Sequence, residues 1–293
     1  MNNYAYIGRG IMDDGKMDFR PVNSDHAIES ATFGARVSFL IDDAAIFQLQ
    51  AKLGQFRELL PYVNVQQVTI FDATGPVATP HASLMLNASM MRADGTAVWN
   101  LRISGYEIVV TCTRYSRWER IWSQARDLIM FAFAELSLLR PDVEISHVAL
   151  TVTDKFLTET TSYDLAQLLK SNEFVAPFAY RSGPKWHSHT GWFQRLANPL
   201  DEIEVLNQLN LDARTETSFD APDQSVSVTI VHTQQADVQK ASKETELLDN
   251  GQRAWQRLDP TMRAMHMCNK AVLQNMLADQ LVATIGLKGQ SNG

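Results

Sequence analysis

The stretch "AVWNLRISGYEIVVTCTRYSRWERIWSQARDLIMFAFAELSLLRP", residues 97–141, changes its hydrophobic period halfway along. Trp99, Leu101 and Ile103 alternate with polar residues, as do Tyr106, Ile108 and Val110, and this period of two marks strands with one buried face. Ser104-Gly105 between them is a hairpin signal, because a turn matched to strand twist needs positive φ and glycine supplies it cheaply. The spacing then becomes helical: Trp118, Trp122, Ala125, Ile129, Ala132, Phe133, Leu136 and Leu139 form one stripe that ends before Pro141. Ser116 and Glu119 have the spacing of a capping box, which predicts the helix start. A meander followed by a long amphipathic helix lying across it defines an α+β fold.

The same grammar extends in both directions. Upstream, residues 32–41 read as a first strand, Asp42 and Asp43 cap a helix running to Leu60, and Pro61 stops it. Residues 65–71 and 81–91 add strands ahead of the Asp94-Gly95 turn. Downstream, residues 144–154 form a strand with Val148, Leu150 and Val152 inward, and residues 163–169 a short helix. The Pro/Gly-containing "NEFVAPFAYRSGPK" is a joint. Three more strands follow at 186–193, 203–214 and 225–234. After a polar loop, a closing helix begins with Asp259 as N-cap and Pro260 at its first position, and ends near Gly286. The chain therefore reads as two fused halves, each an antiparallel sheet plus a long helix: an arm at 1–30, half one at 31–175, half two at 176–286 and a tail at 287–293.

Composition narrows the function classes. The 293 residues are 45% hydrophobic and 20% charged, ordinary for a soluble globular chain. A net charge of -7 repels phosphate backbones, and no long Lys/Arg run offsets it, which argues against nucleic acid. The two cysteines, Cys112 and Cys268, lie in apolar elements and suit buried free thiols in a reducing compartment. The first residues lack the basic-then-apolar pattern of a secretory signal, and the longest apolar run is too short for a bilayer. A cytoplasmic protein without a membrane partner is the expectation.

No P-loop, GxSxG elbow, HExxH or EF-hand loop occurs, so no catalytic residue and no cofactor is assigned. His187 and His189 share one face of their strand; with Glu204 on the next strand and His232 they supply the residue types of a metal site, which would suit a metal-dependent hydrolase. The plainer reading is an exposed strand face carrying two imidazoles. Trp99, Tyr106 and Trp118, with Arg117 near the helix start, are candidates for an apolar ligand site between helix and sheet. The methionines of the closing helix read as core, Arg114, Arg117, Arg120 and Arg126 as a solvated face, and His147 as a satisfied histidine.

The ordered set of "HAIESATFGARVSFLI", the Trp-led hairpin into Tyr-x-x-Trp-Glu, "DLAQLL" with "FVAPF", and "RLDPTMRAMHMCNKAVLQNMLADQL" resembles a sporadically distributed bacterial family of conserved proteins of unknown function. The resemblance spans most of residues 26–283. It departs at "HVALTVTDKF", where such proteins carry a Gly-Leu-Arg-Tyr-like strand followed by Asn. It implies no catalytic residues. Patchy distribution implies an accessory role, as in a defence or toxin-neutralising system. The expectation is a non-catalytic recognition protein with a protein partner or self-association; small apolar ligand binding and metal-dependent hydrolysis are the alternatives.

Overall fold

The hairpin and helix of residues 97–141 form as their periods predict, and the remaining elements are built around them. The computed structural model describes residues 18–72, 79–197, 202–218, 221–238 and 250–287. The strands are β1 (Arg20–Pro21), β2 (Ile28–Val37), β3 (Tyr62–Asp72), β4 (Thr79–Met91), β5 (Ala97–Ser104), β6 (Glu107–Cys112), β7 (Ile145–Thr158), β8 (Trp186–Ala197), β9 (Glu202–Ser218) and β10 (Ala221–Asp237). The helices are α1 (Asp43–Lys52), α2 (Trp118–Leu139), α3 (Asn250–Met276) and α4 (Asp279–Thr284), with single 3-10 turns at Leu53–Phe56, Leu165–Gln167 and Ala179–Arg181.

All ten strands belong to one sheet, ordered β3-β4-β5-β6-β2-β7-β10-β9-β8, with β1 added against β7. Every pairing is antiparallel. The order is palindromic about the β2–β7 seam: β4-β5-β6-β2 on one side matches β8-β9-β10-β7 on the other. In each half the first strand lies at the centre, the chain crosses to the outside, a meander returns inward, and a long helix (α2 or α3) follows. The first half carries two elements that the second lacks, α1 and β3. In their place the second half crosses from β7 to β8 with only 3-10 turns.

The helices cover one face. Phe33 of β2 lies 5.7 Å from Trp118 and 5.4 Å from Trp122 of α2, ring centroid to ring centroid. Phe33 pairs with Leu150, and Leu150 with Gln234, so these residues share the covered face. Ile103, Ile108, Val110, Leu150, Val228 and Ile230 are fully buried there. The other face is polar and largely uncharged at its centre. Thr32 meets Thr111 at 3.0 Å, and Thr151 meets Thr233 at 3.0 Å, hydroxyl to hydroxyl across the seam region. Short side chains are needed here: a Cβ on Gly34 would come within 3.3 Å of the Ala149 Cβ.

Several expectations are corrected. The segment read as a loose arm contributes structure from residue 18 onward: Phe19 is buried with its ring 5.1 Å from Tyr163, and Arg20–Pro21 pairs with β7. The capping box is not formed. Arg117 is the N-cap of α2, and no side chain caps it. The closing helix does not start at Asp259. It begins at Asn250 and carries Pro260 inside it, while Asp259 accepts a hydrogen bond from the buried Trp122 Nε1 at 2.7 Å and another from Arg263 Nε at 2.9 Å. The residue expected to begin one helix instead ties α3 to α2. Gly286 does adopt the left-handed φ of 65° that ends the last helix. The tail lies outside the described residues except for Leu287.

Candidate functional site

Among the described residues nothing covers the outer strand of the second half, and a groove of about 1010 Å³ opens there between α3 and β8. One wall is the helix-side face of β8, with Thr190, Trp192, Gln194 and Leu196; the other is α3, with Ala264, Met267, Ala271 and Val272. Strand period and helix period together place these side chains along one channel. Phe174 closes the end near the α3 C-terminus, its ring 4.9 Å from Trp192, and Thr190 Oγ1 donates to the Phe174 carbonyl at 3.1 Å. At the other end stand Pro260 and Arg263. Met267 is 61% exposed on the rim, where a large apolar side chain has no covering partner among the described residues.

The groove floor rests on a buried polar cluster. His232 on β10 places Nδ1 2.9 Å from the Asn269 carboxamide and Nε2 3.1 Å from the Asn207 Oδ1. Gln234 Nε2 donates to the same Asn207 Oδ1 at 3.2 Å, and Cys268 Sγ donates to Gln194 Oε1 at 3.4 Å. A neutral imidazole donates at one nitrogen and accepts at the other, and side-chain amides present either end, so His232 bonds Asn207 and Asn269 without charge, while the buried Gln234 Oε1 has no hydrogen-bond partner among the described residues. Burial pushes the His232 pKa down and the Cys268 thiol pKa up. Both shifts favour the neutral forms, which makes Cys268 a poor nucleophile and the cluster a rigid base for α3.

The residues proposed for a metal do not converge. His187 and His189 are exposed on the helix-free face, where His189 Nδ1 bonds Asn210 and His187 lies opposite Asp212. His232 is 1% exposed on the opposite face. Glu204 shares the face of His189 but lies opposite Arg195, six residues along β9 from Asn210 and roughly 20 Å away at strand rise. Among the described residues, no three His, Cys, Asp or Glu side chains group in a way that could hold a metal.

The aromatic ligand site is also redistributed. Trp99 lines a smaller cavity of about 360 Å³ with Met90, Tyr115, Arg120 and Ile121, and neither Tyr106 nor Trp118 reaches it. Tyr106 lies in the hairpin turn at the far end of β5, with the Arg36 guanidinium 5.2 Å from its ring centroid. Trp118 is buried and stacks on His266 of α3 at 3.9 Å, while Arg117 is exposed. Sequence reasoning missed the α3–β8 groove. Its signal was present in Trp192 and Leu196 on one strand and Met267 and Val272 on one helix, but what opens it is the absence of a covering element among the described residues, which no motif announces.

Fold and groove define a class: an α+β protein with one antiparallel sheet, helices on a single face, and an uncovered apolar channel at one end. No helix among the described residues is long and apolar enough to cross a membrane. No protein-family model matches the chain, and no curated protein matches it.

Proposed function

We propose that this is a non-catalytic recognition protein that engages a protein partner through the groove between α3 and β8. The observation that carries the reading is the groove itself, a predominantly apolar channel of about 1010 Å³ with an exposed methionine on its rim. Apolar surface left open in this way favours burial against a complementary apolar surface, and methionine adapts its shape to what it meets. Beneath it His232, Asn207, Asn269 and Gln234 are hydrogen-bonded to one another, and burial keeps His232 and Cys268 neutral, which supports a rigid platform rather than a reacting centre.

Bis-ANS, a dye that fluoresces in apolar surroundings, tests the site on the full chain. The expected result is stoichiometric binding that Ala271→Arg abolishes while the unfolding midpoint stays unchanged, since Ala271 is exposed on the groove wall. Absence of binding, or binding indifferent to this substitution, would overturn the groove as a recognition surface.

A further inference from the structure

We infer that the partner presents a short amphipathic helix, laid antiparallel to α3 in the place that α1 occupies in the first half. This rests on the groove being the recognition surface, and it names what fills it. The palindromic sheet order makes β4 the counterpart of β8, and α2 the counterpart of α3. In the first half α1 lies over β4 and β3 beside α2, burying Ala45, Ile46 and Leu49. Asp43 Oδ1 accepts from the Leu84 backbone amide of β4 at 3.3 Å, and Gln48 Nε2 donates to Glu135 Oε2 of α2 at 3.3 Å. Moving α1 by the internal symmetry puts it between β8 and α3, which is where the groove is. The groove is thus the seat of a helix that the described residues of this half do not supply.

The direction and charge of the guest follow. Gln48 meets Glu135, whereas the later Phe56 meets the earlier Phe131 with ring centroids 5.1 Å apart, so this segment runs antiparallel to α2. A guest in the same sense has its N-terminus beside the C-terminal end of α3. Glu173 stands at that end, exposed and in no ion pair among the described residues. Arg263 stands at the other end, but its guanidinium is already held between Asp259 and Glu119, so the charge that orients the guest is that of Glu173. An acidic group at a helix N-terminus complements the partial positive charge of that end. Apolar walls with an acid at the end where the guest's N-terminus arrives match an oriented helix better than a symmetric lipid tail.

The probe is a displayed library of stapled ten-residue helices that keep Ala, Ile and Leu at the spacing of Ala45, Ile46 and Leu49 and vary elsewhere. Selected helices are then measured by fluorescence polarisation on the full chain. The expected outcome is binding that falls at least about tenfold in Ala271→Arg, since a charge would enter the apolar channel. Glu173→Lys should weaken it by roughly two- to fivefold through the helix dipole alone. Helices that bind regardless of Ala271→Arg would overturn the inference. If no helix is selected but bis-ANS still binds in an Ala271-dependent manner, the helix is wrong and the groove takes a small apolar ligand. If neither binds, the groove reading falls as well.

Discussion

Two titratable side chains, one buried and one partly buried, pull the stability of this protein in opposite directions with pH. Asp154 on β7 is 2% exposed, and burial pushes its carboxyl up to about 7. Its folded pKa lies above its unfolded one, so the contribution is fully present below about 4 and is lost as pH rises through about 7. Asp154→Asn keeps the shape without the charge. The variant should gain up to about 3–4 kcal/mol over the parent at pH 8 and almost nothing at pH 4, read by urea unfolding at both pH values. His266 behaves in the reverse sense. Burial against Trp118, with Lys270 and Arg263 adding repulsion, pushes its pKa down to about 3. The unfolded chain takes a proton below about 6.5 that the folded chain refuses, so stability falls as pH drops. Between pH 8 and pH 5 the parent should lose about 1–2 kcal/mol through this ring, reduced because the ring retains some solvent contact, and His266→Gln should not show that loss. A parallel pH dependence in variant and parent would refute either assignment.

At the scale of elements, the contact between α2 and α3 hangs on Asp259. The Trp122 ring is fully buried and its indole N–H has this carboxylate as acceptor, while Arg263 bridges Asp259 and Glu119. Asp259→Ala leaves the buried indole N–H without that partner, at a cost of about 1–3 kcal/mol. Asp259→Asn retains an acceptor and should recover much of it; equal losses in the two variants would mean that charge rather than the indole bond matters. These elements also show what the sequence made legible. Periodicity placed the hairpin of β5 and β6 and the whole of α2, because apolar spacing is a local property of the chain. It misplaced the start of α3 because Asp259-Pro260 carries the local signature of a helix beginning, and tertiary bonds from Trp122 and Arg263 use Asp259 for another purpose. It assigned Ser116 a capping role that the described geometry does not give it, leaving Arg117 at the N-cap without a side-chain cap. The proposed metal set failed for a similar reason: His187 and His189 do share a face, but strand pairing puts His232 on the other face.

For the whole molecule, the palindromic order of the sheet has an energetic consequence. The two halves are not separable layers. β7 pairs with β2 from Ile145 to Asp154 and with β10 from His147 to Thr158, so the strand at the seam is bonded on both sides, once to each half. The sequence could not show this, because which strands meet at the centre depends on partners more than a hundred residues apart, as when Phe33 meets Leu150. β3 and β8 lie at the two ends of the strand order, and each is paired on one side only among the described residues. An amide bonded on a doubly paired strand opens only with the surrounding sheet, whereas an edge amide opens locally. Native-state hydrogen exchange should therefore find the slowest amides in β2, β7 and the adjoining part of β10, exchanging together at the free energy of global unfolding. β8 should be faster, since no helix among the described residues covers the groove beside it. Filling that groove with a selected helix should slow exchange in β8 and the facing turns of α3 while leaving β3 unchanged. If the segments on the two sides of the seam instead exchanged as two independent units, β7 would not be the strand that joins them, and the symmetry that assigns a helix to the groove would lose its basis.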